Sequence, residues 1–257
     1  MKRQILTTSV ATFLAAAPAM AHYGMIIPSD SMISQEDGRT VSFTVGFAHP
    51  FEQNGLFLDT PVSFNVAHEG TTTDLSGALQ AETIMEEAGY TFDYALERPG
   101  TYVFAMEPQP YWEPAEEVFI IHYTKTYVTA YGDDEGWDTE LDLKTEIVPL
   151  SKPFGLWEHN VFQGIVKLDG DVVPYAEVEV EFFNTAGATV PDDLMITQTV
   201  KADANGVFTY APPSHGWWGF AALNTAEYTL TEESSGEEKA VELGAVIWVH
   251  FEEWTGQ

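Results

Sequence analysis

Apolar and polar positions alternate with a period of two along most of this chain. Residues 40–47 (TVSFTVGF), 61–66 (PVSFNV), 91–96 (TFDYAL), 101–106 (TYVFAM) and 118–128 (VFIIHYTKTYV) are rich in Val, Phe, Tyr and Thr and are separated by Gly, Pro, Asn or Asp. That pattern predicts β-strands. Only residues 75–88, which include ETIMEEAG, read as a helical turn or two.

A polar, acidic stretch after Gly132 (DDEGWDTELDLKTEIVPLSKP) carries Pro149 and Pro153 and predicts a domain boundary near residue 150. Beyond it strands are expected at 160–168, 176–183, 197–201, 207–210, 217–223, 226–230 and 245–251. The DG pair at 169–170, the segment DANG and the acidic TEESSGEEK supply turns. In AEVEVEFF, Val178, Val180 and Phe182 are expected to face a core, and Glu177, Glu179 and Glu181 solvent. Short strands at this spacing predict an all-β chain of two β-sandwiches in series, residues 22–150 and 151–257.

The first 21 residues differ in kind. Lys2 and Arg3 precede an apolar run from Val10 to Ala17, then Pro18 and the small-residue site Ala19-Met20-Ala21, the pattern of a cleavable secretory signal. No later stretch is apolar for the roughly 18 residues a membrane span needs. A soluble, periplasmic chain of 236 residues is therefore expected once 21 of the 257 are removed.

Composition narrows the chemistry. There is no cysteine, so thiolate metal sites and cysteine nucleophiles are excluded. Forty acidic residues face ten basic ones, a net charge of −30, or −32 once Lys2 and Arg3 leave 40 against 8. Such a surface repels nucleic acid and anionic lipid, and neither nucleic-acid binding nor membrane insertion is expected. It also attracts cations, although keeping the protein dissolved is reason enough for it.

Cleavage after Ala21 makes His22 the first residue. A terminal histidine offers its α-amine and its ring Nδ1 to one ion, and both groups shed protons near neutral pH. His49, in FAHPFE at the end of an alternating strand, and His122, within VFIIHYTKTYV, are candidate partners. Glu52 adds a candidate oxygen ligand. Met25 in GMIIP reads as a packing residue. His68 reads as a surface turn residue, and His215 and His250 are second-rank candidates. Trp217 and Trp218 divide between core and domain interface, with a sugar platform formed by these two and Phe220 as the other reading. GxSxG, HExxH and GxxxxGK[ST] do not occur, and Asp133-Asp134-Glu135 lacks EF-hand spacing.

The motifs HYGMIIPSDSMI, FAHPFE, IIHYTKTYV, EIVPLSKPFGLWEHNVFQGIVKLDGDVVPYAEVEVEFFN and HGWWGFAALN resemble the periplasmic accessory component of nickel or cobalt uptake systems of the energy-coupling-factor type. The resemblance spans essentially the whole chain after residue 21. The stretch from GIVKLDG to DANGVFTYAPP also resembles transthyretin-like or carboxypeptidase-regulatory-like modules. What the transport resemblance implies is a non-enzymatic protein that hands Ni²⁺ or Co²⁺ to a membrane permease, with His22, His49, Glu52 and His122 as ligands.

Nitrogen-rich ligation with some carboxylate also suits Cu²⁺ and Zn²⁺. Two alternatives stand beside this reading. One is a copper enzyme with an N-terminal histidine that acts oxidatively on polysaccharide, and the other a structural or adhesive sandwich with no metal.

Overall fold

The structure is a computed structural model and describes residues 21–256. The expected signal segment, Ala21 apart, lies outside the described residues. In chain order the strands begin with β1 (Tyr23–Pro28), β2 (Met32–Ile33), β3 (Thr40–His49), β4 (Asn54–Leu56), β5 (Ser63–His68) and β6 (Thr71–Asp74). They continue with β7 (Gln80–Ile84), β8 (Glu87–Ala95), β9 (Gly100–Glu107), β10 (Tyr111–Glu113), β11 (Val118–Ala130), β12 (Thr145–Pro149) and β13 (Leu156–Trp157). The rest are β14 (Phe162–Leu168), β15 (Asp171–Val172), β16 (Glu177–Phe182), β17 (Gln198–Lys201), β18 (Val207–Tyr210), β19 (Gly216–Thr231) and β20 (Glu238–Glu252). The fold is all-β, and among the described residues no helix is long and apolar enough to cross a membrane.

One long sheet, ordered β17-β16-β19-β20-β11-β9-β5-β6, organises the molecule. Its centre is a parallel pair: β11 runs beside β20 from Val118 opposite Ala240 to Thr126 opposite Trp248. The sheet thus passes without a break through the expected boundary near residue 150.

Two smaller sheets cover it. The first, β1-β3-β8-β7 with β4 on β3, packs against the β11-β9-β5 half through Ile26, Phe43, Phe92, Phe64, Phe104 and Val128. The second, β12-β14-β15 with β18, packs against β16, β19 and β20 through Ile147, Phe162, Phe208, Val180, Phe220 and Ile247. Strand β12, which precedes the expected boundary, pairs with β14 and so belongs to this second layer.

Side-chain alternation settles which layer takes which face. On β20 the odd positions Ala245, Ile247, Val249 and Phe251 enter the second core, whereas Val246 and Trp248 point the other way and meet β1 through Tyr23 and Met25. The two small sheets therefore lie on opposite faces of the shared one. β1 crosses the even face of β20, where the Trp248 indole N–H donates to the Gly24 carbonyl at 2.8 Å. Burying an aromatic of this size contributes roughly 1.5–3 kcal/mol, and the hydrogen bond about 1 kcal/mol more.

The helical reading of residues 75–88 gives way to a hairpin. A single 3₁₀ turn spans Ser76–Ala78, after which β7 pairs antiparallel with β8. Met85 and Glu86 both take positive φ, 50° and 72°, the left-handed pair a tight two-residue hairpin turn requires. Helix-forming residues are common here. The β-branched and aromatic strand YTFDYA beside them offers a pairing edge, and tertiary pairing overrides local propensity.

Candidate metal centre

The β1–β3 register builds the first part of the site. Tyr23 pairs with Ala48, so one step outward His22 stands level with His49. Their ring centroids are 4.7 Å apart at 49°, and the residues are 8% and 6% exposed. The His49 Nδ1–H donates to the Ala21 carbonyl at 3.0 Å, which leaves Nε2 as the ring's lone-pair nitrogen.

Strand β10 supplies what the sequence did not suggest. The Glu113 carboxylate lies 3.0 Å from His22 Nε2, and its other oxygen accepts the Ala115 amide at 2.9 Å. A carboxylate only accepts, so Nε2 carries the proton and Nδ1 keeps a lone pair. That is the nitrogen needed for a chelate with the residue's own α-amine. A carboxylate behind a metal-binding histidine fixes ring and tautomer in this way.

Burial pushes the His22 ring down to about 4, with the nearby His49 and His122 acting in the same direction. The hydrogen bond and charge of Glu113 oppose this and are outweighed. At neutral pH the ring is uncharged and its lone pair is free.

His122 lies on the even face of β11, 1% exposed and directed toward β1. Its ring rests on Gly244 across the parallel pair, where a Cβ would come within 2.3 Å of Cδ2. Nε2 lies 3.4 Å from Glu242 Oε1, and Nδ1 is buried without a partner. Phe47 packs against both imidazoles, stacked on His22 at 5.8 Å and edge-on to His122 at 5.7 Å.

Glu52 is exposed and neighbours the Glu181 carboxylate. The carboxylate at His22 is Glu113. Among the described residues no three His, Asp or Glu side chains converge closely enough to hold one ion. With the Ala21–His22 bond intact, the nitrogens at hand are the His22 and His49 rings. A free amine on His22 would be the third.

Several other expectations need correction. His68 is not a surface turn residue: it is 8% exposed, lies flat on Tyr102 at 3.8 Å, and bonds the Thr101 carbonyl through Nδ1. Glu181 does not face solvent. It is 1% exposed beneath the loop after β3, and it accepts the Phe51 amide at 3.0 Å and the Thr197 hydroxyl at 2.5 Å. Burial pushes its carboxyl up to about 7 despite those two hydrogen bonds.

His250 pairs with Glu252 at 3.1 Å beside Trp217, and His215 is exposed near Glu158. Trp218 enters the second core, while Trp217 packs with β1 and β20. The period-two pattern marked Glu113 as nothing more than one acid among forty.

Comparison with known proteins adds the following. No curated protein matches. Among solved structures, the D0-D1 domain of intimin is 11% identical over 90% of this chain and 100% of its own, with a TM-score of 0.25. Trypsin-activated alpha-2-macroglobulin from Escherichia coli is 11% identical over 91% of this chain and 16% of its own, at 0.28. The titin Ig tandem domains A164-A165 are 9% identical over 91% and 100%, at 0.21. At such scores nothing about this chain's site follows from them. Residues 19–226, which contain His22, His49, Glu113 and His122, match the family described as a domain of unknown function, DUF4198, and the chain belongs to that family.

Proposed function

We propose that this is an exported, non-enzymatic protein that binds a divalent transition metal, Ni²⁺ or Co²⁺ before Cu²⁺ or Zn²⁺, and passes it to a membrane uptake permease. Removal of residues 1–21 would free the His22 amine, and the ion would take that amine, His22 Nδ1 and the His49 ring, with His122 close by. The observation that carries this reading is the His22–His49 pair: two buried imidazoles 4.7 Å apart, one of them bonded to the carbonyl of the peptide that signal cleavage would cut. Glu113 supports it by holding His22 in the tautomer a chelate needs. The acidic surface raises the local concentration of cations.

The test is calorimetric titration of Ni²⁺ and Co²⁺ into protein that starts at His22, beside a version with one extra residue ahead of it. The extension turns the amine into an amide and is expected to weaken binding at least tenfold, about 1.4 kcal/mol. Equal affinities would reject the chelate. Mass spectrometry of the exported protein checks the start site independently.

A further inference from the structure

Beside the histidine pair lies a cavity of about 270 Å³ that metal binding does not use. Its walls are mostly apolar and aromatic: Phe47, Phe57, Met106, Tyr111 and Trp112, with the His122 ring among them. At ~30 Å³ per water the space equals about nine waters, the size of one or two fused rings.

Two features mark it as built for a ligand. Pro108 and Pro110 bracket the connection from β9 to β10 and fix its backbone, so this wall is formed before anything binds. Phe57 is 55% exposed in the wall, an apolar surface a soluble protein gains nothing by showing to water.

Charge selects among ligands. The polar part of the lining includes Asp59 and Gln109, the Glu113 carboxylate follows Trp112 on β10, and no Lys or Arg lines the cavity. An anion is disfavoured there, and a neutral or cationic ring system is not.

We infer that this cavity is a binding site for a small planar organic molecule, neutral or cationic, that stacks on Tyr111, whose ring lies on the Phe47 side of β10. The cavity shares the His122 ring with the surroundings of the proposed ion, and its test uses metal-free protein so that the two can fail separately.

Indole is the probe, titrated into the chelator-treated full-length exported chain and followed by calorimetry and amide NMR. Saturable shifts are expected at Met106, Tyr111, Trp112 and Ile120. Indole-3-acetate is expected to bind at least tenfold more weakly than indole, and tryptamine no more weakly. Tyr111→Ala should weaken indole at least tenfold. Phe57→Ala, at an exposed position that folding does not need, should weaken it about threefold. Absence of saturable shifts, shifts that map elsewhere, or unchanged binding in both variants would overturn the site.

Discussion

His49 Nδ1 stands 3.0 Å from the main-chain oxygen of Ala21, which belongs to the peptide plane that also holds the His22 nitrogen. Cutting that peptide takes away the acceptor and leaves an amine in its neighbourhood. One event thereby frees the His49 ring and creates the third nitrogen.

In protein that starts at His22, His49→Ala is expected to weaken Ni²⁺ binding at least tenfold, about 1.4 kcal/mol. The same substitution in the uncut chain should change little, because the amine is already missing. Titration of the four proteins as a double-mutant cycle measures the coupling, and additive losses would contradict a shared ion.

Glu113 and Glu52 are expected to differ. Glu113→Gln removes the charge that holds the His22 tautomer and should weaken metal binding about tenfold, within the 10–100-fold range typical of groups behind a ligand. Glu52→Gln, exposed and on the Glu181 side, should leave affinity within about twofold, well under 1 kcal/mol. The comparison of the two titrations is the check, and the reverse order would restore Glu52 as the ligand.

Glu181 should make stability depend on pH. Its folded-state value, about 7, lies above the 4.5 of a free carboxyl. The native state therefore holds the proton more tightly, and this contribution is complete below about 4.5 and gone above about 7, a change of roughly 3 kcal/mol. Glu181→Gln, which still accepts from Phe51 and can donate to Thr197, should match the parent at pH 4.5 and melt roughly 5 °C higher at pH 8. A Tm difference that does not vary with pH would refute the assignment.

His22 acts in the opposite sense. Its value falls from 6.5 to about 4, so its contribution is present above 6.5 and lost as pH drops through 4. NMR titration of the ring is expected to show a neutral imidazole at pH 6, and a midpoint near 6.5 would remove the physical basis for a metal-ready ring.

Gly244→Ala should displace His122. The added methyl would lie 2.3 Å from Cδ2 and 2.5 Å from Nε2, so the ring must leave its place over β20. Overpacking of this kind costs about 1–3 kcal/mol. A lower Tm together with altered His122 ring resonances is the expected result, and an unmoved ring would show that the strand yields instead.

Much of the fold is legible in the chain itself. TVSFTVGF, VFIIHYTKTYV and NVFQGIVKL each become strands, because alternation and β-branched or aromatic residues are local properties that any pairing partner can use. His22 and His49 stand out for a local reason too, one by its place after a cleavage motif and the other at a strand end before Pro50. Glu113 and Glu181 carry no such mark. One becomes the carboxylate at His22 because β10 pairs with β11, and the other is buried because the loop after β3 lies on it, with the Phe51 amide donating to its carboxylate.

The sequence by itself determined the strands and their alternating faces, since a period of two is written residue by residue. Only the tertiary structure decided what covers each face: that β11 joins β20 to make one sheet of two sandwiches, that the β1–β3 register sets His22 against His49, and that an outward-pointing glutamate lies under the loop after β3. Those outcomes depend on pairings between residues far apart in the chain, such as Val118 with Ala240 and Gly24 with Trp248, whose free energy exists only once both strands are in place.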